Sequence, residues 1–439
     1  MTPLLVAALS TAASSARADD WPQWLGPQRD GVWRESGIVE DFNAGPPRVL
    51  WRTPIGAGYS GPSVANDRVY VMDRIAGPKN PSAPSSRRTF GAERVLCLDA
   101  SDGRLLWEHR YDCAYGISYP AGPRVTPTVD GAHVYALGAE GNLLCLEKST
   151  GRPVWQRNLK EDYHTQSPPW GFAAHPLIDG QKLICLVGGK DSVAVAFDKS
   201  TGKEIWRALS AKETGYCPPT LIVAGGTRQL LIWHAEALNS LDPENGKVFW
   251  TEPFRSRFAL AIAQPRLLGD LLLVSSFYNG SLMMRLDRDR PSATVAWRGS
   301  SDSERQTDGL HALMCTPFLE DNHIYGICSY GQLRCLRANT GERLWETMRA
   351  TTRDGAETRW ANAFLVKNAG RFFISNELGE LIIARLTPGG YDEVARTTLI
   401  EPTNRDPRRA VVWSHPAFAN RRIYARNDRE IICASLAKE

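Results

Sequence analysis

Ala194-Val-Ala-Phe-Asp198-Lys-Ser-Thr-Gly202-Lys-Glu-Ile-Trp206 reads as a short apolar strand, an acidic residue, a tight turn hinged on glycine, and a second strand carrying tryptophan. The same frame stands upstream in Leu143-Leu-Cys-Leu-Glu147, Gly151 and Trp155, and before that in Val95-Leu-Cys-Leu-Asp99, Gly103 and Trp107. Looser copies follow at Leu241-Asp242, Gly246 and Trp250, at Leu286-Asp287 and Trp297, and at Leu336-Arg337, Gly341 and Trp345. Spacings of roughly 44 to 56 residues, with brief apolar runs and no helical period, mark small sheets that cannot bury their own faces and stack around an axis. The expectation is an all-β propeller of four-stranded antiparallel blades.

Working outward, each repeat holds four strand candidates separated by turns such as Asp130-Gly131 and Glu140-Gly141, where glycine takes a positive φ without a steric cost. The frame can be laid down about seven times through Glu380 to Arg385. An eighth set, Ser414 to Phe418, Ile423 to Ala425 and Ile431 to Cys433, offers three strands only. The missing outer strand is available as Arg48-Val-Leu-Trp51, and pairing the two would close the ring and remove two open sheet edges. Eight blades are expected, with seven as the alternative.

The chain of 439 residues is long enough for one large closed domain. Its 52 basic and 48 acidic residues are interspersed, which gives no stripe suited to nucleic acid. Leu4 to Leu9 followed by Ala16-Arg-Ala18 reads as an export signal cut near Ala18, leaving 19–47 as a leader segment and 48–439 as the propeller. The alternative for 1–18 is an unstructured Ala/Ser leader. No apolar run is long enough to span a membrane, and a monomer is expected. Nine cysteines would ordinarily suggest disulfides in an exported protein. Cys97, Cys145, Cys335 and Cys433, however, occupy one place in their repeats, inside apolar strands, and read as buried free thiols.

The pattern from Asp198 to Trp206 resembles the repeat of pyrroloquinoline-quinone (PQQ)-type propellers, and Trp21-Pro-Gln-Trp24-Leu-Gly26-Pro27 is similar to the leader of exported PQQ-like repeat proteins. The resemblance covers residues 21 to 436. It implies that Trp107, Trp155, Trp206, Trp250, Trp297 and Trp345 wedge between neighbouring blades. The fold it implies serves two branches, quinoprotein dehydrogenases and non-catalytic propellers such as the outer-membrane assembly lipoprotein.

Blade geometry puts the outer-to-inner links and the links between second and third strands on one face, and here those are the long ones, including Ile75 to Ala92. Long loops gathered on a rigid scaffold are where binding is usually placed. They deliver Tyr59, Arg124, Trp170, His175, Tyr216, His311, Arg359, Trp360, Trp413 and His415 toward the starts of inner strands, and hence toward the central funnel. Thr126, Gln264 and Asn362 share that region. Cationic and aromatic side chains together suit a protein partner or a small anionic or aromatic ligand; the competing reading is that they plug the channel and satisfy one another. The eight histidines show no metal-ligand spacing, so no metal is expected. The PQQ dehydrogenase branch would require PQQ with Ca2+, a stacking floor and a carboxylate base. Trp170, Trp360 and Trp413 offer floors, but there is no Cys-Cys dipeptide and no carboxylate that the sequence places at the mouth. No cofactor and no catalytic residue are therefore expected, with a PQQ-dependent oxidoreductase as the alternative.

Overall fold

The computed structural model describes residues 19–78, 89–406 and 409–438; the expected signal, 1–18, and the middle of the Ile75–Ala92 excursion lie outside them. Eight four-stranded antiparallel sheets form the blades of a propeller. Blade 1 runs Ser63–Ala65, Arg68–Ala76, Gly91–Asp99 and Leu105–Asp112, from the axis outward. In blade 8, Ala417–Ala419, Arg422–Arg426 and Glu430–Ser435 are completed by Val49–Pro54, with Trp51 opposite Cys433 and Pro54 opposite Glu430. The chain thus closes on itself with eight blades, not seven.

Second and third strands are covered on both sides by neighbouring blades. Val134–Leu137 and Leu143–Leu146 are therefore buried throughout, and read as continuous apolar runs rather than alternating ones. The repeated cysteine has a specific neighbour set. Cys97 pairs with Trp107 on one side and Tyr70 on the other, Cys145 with Trp155 and Tyr135, Cys335 with Trp345 and Tyr325, and Cys433 with Trp51 and Tyr424. A small side chain between them leaves room for the two rings, whose centroids lie 6.0–6.2 Å apart in each blade. All nine cysteines are buried free thiols.

The repeat tryptophans join blades by a single device. The indole N–H of Trp107 donates to Lys148 O at 3.0 Å, Trp155 to Lys199 O at 2.9 Å, Trp206 to Pro243 O at 3.1 Å, Trp297 to Ala338 O at 2.7 Å and Trp345 to Thr387 O at 2.8 Å, each acceptor lying in the next blade. Trp51 does the same across the closing seam, to Ala100 O at 3.0 Å. The rings of Trp51, Trp107, Trp155, Trp206 and Trp297 lie against the turn glycine of that next blade: a Cβ on Gly246 would stand 2.8 Å from Trp206, and one on Gly341 3.0 Å from Trp297. Trp250 packs against the hydrophobic cluster shared by blades 4 and 5 but uses its N–H differently. Its indole donates to Gln229 Oε1 of its own blade at 2.9 Å, and the corresponding turn of blade 5, Asp287-Arg-Asp-Arg-Pro-Ser292, has no glycine.

The leader is built into the propeller. Trp21 exchanges two 2.8 Å backbone bonds with Val64 of blade 1, and Val129 N of blade 2 donates to Pro22 O. Arg29 Nη1 reaches Pro176 O of blade 3 at 2.8 Å, and Arg266 of blade 5 returns a bond to Asp30 O at 3.1 Å. Trp33 N donates to Lys367 O of blade 7, and Val39 N to Leu436 O beside blade 8. Trp33, 1 % exposed, packs between Phe373 and Phe418. The segment crosses the tight-turn face and seals that end of the axial channel.

Candidate functional site

Strand register turns the funnel into two rings. In every blade one inner-strand residue pairs with the second-strand member of the ladder described above: Ser63 with Tyr70, Thr128 with Tyr135, Leu177 with Ile184, Thr220 with Leu231, Arg266 with Leu273, Phe318 with Tyr325, Val366 with Phe373 and Ala417 with Tyr424. Two residues earlier stand His175, Pro218, Phe364 and His415, all lining one cavity, and their counterparts Gly61, Thr126, Gln264 and Thr316. Two residues earlier again stand Tyr59, Arg124, Tyr216 and Trp413, with Ala173, Ile262 and Met314, all lining the same cavity, and Asn362 as the eighth member. The spacing of two keeps both rings on the axial side of the chain. Trp24 of the leader is the floor, and Tyr119, Trp170 and Leu260 form the lip.

The cavity measures about 190 Å³. Trp24 stacks on His175 with centroids 4.6 Å apart and meets His415 edge-on at 5.7 Å; His415 in turn lies 3.8 Å from Phe364. Trp413 is held by Glu377, which accepts its indole N–H at 2.8 Å and the Arg409 Nε–H at 2.7 Å. Tyr216 packs edge-on against Trp170 at 5.8 Å. Burial pushes His415 down to about 3 and holds His175 well below the usual imidazole value, helped by the nearby His415 and Arg29. Burial thus favours the neutral form of both rings.

Of the ten expected site residues, seven line this cavity: Tyr59, Arg124, Trp170, His175, Tyr216, Trp413 and His415. Three do not. His311 is fully buried, its Nδ1 3.1 Å from Phe277 O and its Nε2 3.4 Å from Asp308 Oδ1, in the space left by Gly280. It sits three residues before the upper-ring position rather than on it. Arg359 and Trp360 lie off the axis on the long-loop face: Arg359 donates to Glu304 Oε2 at 2.6 Å and to Tyr278 OH at 3.3 Å, and lies 4.5 Å over the Trp360 ring. Trp360 has a left-handed backbone, φ 65°, pinned by its N–H to Ser329 O at 3.1 Å, and this turns the pair away from the axis.

Arg124 lines the cavity with most of its donors already engaged. Its guanidinium lies 5.0 Å over Tyr59 and donates to four carbonyls, those of Trp170, Gly122, Ser118 and Tyr119. It ties loops together with four of its five N–H donors. The lining contains no carboxylate. A Ca2+-bound quinone needs oxygen ligands and a site in the ~300–1,000 Å³ range of cofactor pockets; the residues here fit neither requirement. Among the described residues no three His, Cys, Asp or Glu side chains gather as a metal site. Trp24, Phe364, Ile262 and Met314 were not foreseen as lining. A signal for Ile262 and Met314 was available in the recurring X-Pro step, as in Thr126-Pro127, His175-Pro176, Gln264-Pro265, Thr316-Pro317 and His415-Pro416, which marks the lower ring two residues after the upper one; Trp24 and Phe364 are each followed by leucine instead.

Comparison with known proteins places the fold among both branches. The outer membrane protein assembly factor BamB of Yersinia pestis is 23% identical over 284 residues, 62% of this chain and 66% of that protein. The chain spans about half to just under two thirds of the length of the curated relatives of this kind that it matches. The crystal structure of BamB from Moraxella catarrhalis superposes with a TM-score of 0.53 at 16% identity, covering 88% of this chain and 98% of that one. Quinohemoprotein alcohol dehydrogenase from Comamonas testosteroni superposes with a TM-score of 0.65 at 13% identity, covering 97% of this chain and 82% of that one. The family pattern described as outer membrane protein assembly factor BamB matches residues 91–347 and 190–438, and the chain belongs to that family of PQQ-like propellers.

Proposed function

We propose that this protein is a non-catalytic, exported propeller scaffold whose long-loop face engages a protein partner, with the central funnel receiving an apolar side chain of that partner. The carrying observation is the funnel itself: aromatic walls, a closed floor, no carboxylate in the lining, and a volume of about 190 Å³. A cavity of ~150 Å³ lined by apolar side chains takes a benzene ring, so the space suits one ring and not a multi-ring cofactor. The named role of the relatives, assembly of outer membrane proteins, supports a protein partner in the cell envelope.

The surrounding face has the make-up of an interface. Phe258 is 54% exposed with φ 57°, and Tyr119 and Trp360 are also left-handed, at 54° and 65°. Bulky residues in that region store strain, which persists where the surface has a use for the side chain. Arg257 stands about 5 Å over both Phe258 and Tyr278, and arginine beside aromatics is the composition of binding hot spots. Photo-crosslinkers at Phe258 and Leu260 should capture the same envelope protein, while one at Val223, exposed near the opposite face, should not. Equal capture from all three positions refutes the face assignment. Titration with PQQ and Ca2+ should leave no quinone bound after gel filtration; retained quinone with turnover of an alcohol would restore the dehydrogenase reading.

A further inference from the structure

The base of the funnel holds polar atoms that nothing in the protein satisfies. Trp24 Nε1, His175 Nε2, Thr126 Oγ1 and Gln264 Oε1 are buried without a hydrogen-bond partner, and so is Asn362 Nδ2 in the ring above. Their residues are between 1 and 8% exposed. Native proteins pair nearly all such groups, and each exception calls for an occupant. Five of the fifteen such atoms among the described residues gather here, three in the lower ring, one in the floor and one in the upper ring, and those of Trp24 and His175 border the cavity itself. By contrast Thr316, the lower-ring neighbour of Gln264, accepts the Gln264 backbone N–H at 3.2 Å.

We infer that the funnel is a receptor for a tyrosine side chain of the protein partner, its ring held between the aromatic walls and its hydroxyl at the base beside Trp24 and His175. The inference rests on the reading of the funnel as the partner-binding site and names the side chain that enters it. Three requirements select tyrosine. The volume of about 190 Å³ admits one six-membered ring. Among the lining residues the unpaired atoms are the indole N–H of Trp24, which can only donate, and His175 Nε2, which in a neutral ring accepts or donates according to the tautomer, so a group that both accepts and donates meets either case. A phenol does both; phenylalanine does neither, and tryptophan only donates. An uncharged group suits the site: burial favours the neutral form of His175 and His415, Arg124 commits four of its five N–H donors to carbonyls, and the lining holds no carboxylate to meet a lysine. Tyrosine combines an apolar body with a polar tip, the shape of this cavity.

The test uses the full chain and two neutral probes, N-acetyl-tyrosinamide and N-acetyl-phenylalaninamide, titrated by calorimetry. The tyrosine compound should bind saturably and about tenfold more tightly than the phenylalanine one, the size expected of hydrogen bonds to otherwise unpaired buried groups. Trp24→Phe keeps the floor but removes its N–H, and should shrink that ratio to about twofold or less while leaving the phenylalanine compound unchanged. Leu260→Trp, which fills the mouth from an outer loop, should abolish both. Equal affinity for the two compounds, no saturable binding of either, or an unchanged ratio in Trp24→Phe would each overturn the inference. Crosslinking from Phe258 keeps the two readings apart, since capture of an envelope partner together with any of these results sinks the tyrosine assignment alone.

Discussion

Replacing Trp206 by alanine tests the device that joins the blades. The indole is 7% exposed, donates to Pro243 O across the blade 3–4 seam and lies on Gly246. Truncating a buried tryptophan costs ~3–5 kcal/mol. The reciprocal change, Gly246→Ala, meets two penalties. Its φ is +76°, where a Cβ costs ~1–2 kcal/mol, and the new Cβ would sit 2.8 Å from the indole, an overpacking worth a further ~1–3 kcal/mol. Only the second penalty depends on the ring being there. The double variant should therefore lose less than the sum of the single losses by ~1–3 kcal/mol, a coupling typical of contacting residues. Urea titration followed by far-ultraviolet circular dichroism measures all four corners of the cycle. Additivity within ~0.5 kcal/mol would show that ring and turn do not meet, and the seam geometry would be wrong.

Trp250→Ala, whose indole makes its bond within its own blade and is only partly buried, should cost about 1–2 kcal/mol, less than half the Trp206 effect in the same titration. Trp33→Ala should cost ~3–5 kcal/mol although it lies outside every repeat, because its ring is sealed between Phe373 and Phe418; an unchanged urea midpoint would mean the leader is loosely attached. Glu93 is fully buried, takes the hydroxyls of Tyr111 and Tyr115 and the Ala139 N–H, and burial raises its carboxyl despite those bonds. The folded protein therefore keeps a proton there that the unfolded chain releases, so Glu93 lowers stability as pH rises from the ordinary carboxylate value through the raised one. Glu93→Gln should flatten that part of the stability–pH curve, and a curve parallel to the parent's would exclude Glu93 as its source. Burial pushes the thiols of Cys97, Cys335 and Cys433 up to about 11. None of the nine should react with a thiol-exchange dye at pH 7.5 until denaturant is added; prompt reaction of any one would contradict its burial.

The blade count and the closure were legible in the sequence because Asp198 to Trp206 and its copies carry turn, strand and seam together, and because Arg48-Val-Leu-Trp51 is a strand with nothing beside it. The funnel was legible for Tyr59, Arg124 and Trp413 because inner strands converge by symmetry, and position in the repeat then fixes position in space. It failed where a loop overrides the frame. Arg359 and Trp360 precede their strand by enough residues for one left-handed φ to turn them away, and His311 is drawn into the gap at Gly280. The engagement of Arg124 was not legible for another reason: the carbonyls that take four of its donors come from loop residues whose paths no period describes. The leader carries no repeat, and its partners are inner-strand ends scattered over six blades, so its place across the channel could not be read from any local pattern.

The pairing of Val49–Pro54 with Glu430–Ser435 has a temporal consequence. A chain that emerges from its amino end presents this strand before any of the sheet it completes, and must carry it unpaired until the last blade arrives. Blades 1 to 7 can each form from contiguous residues, but blade 8 is a handshake between the earliest and latest parts of the fold. Arrest or cleavage anywhere in between leaves the early strand solitary and the seam at Trp51 open, so completeness of synthesis is written into the geometry as a latch.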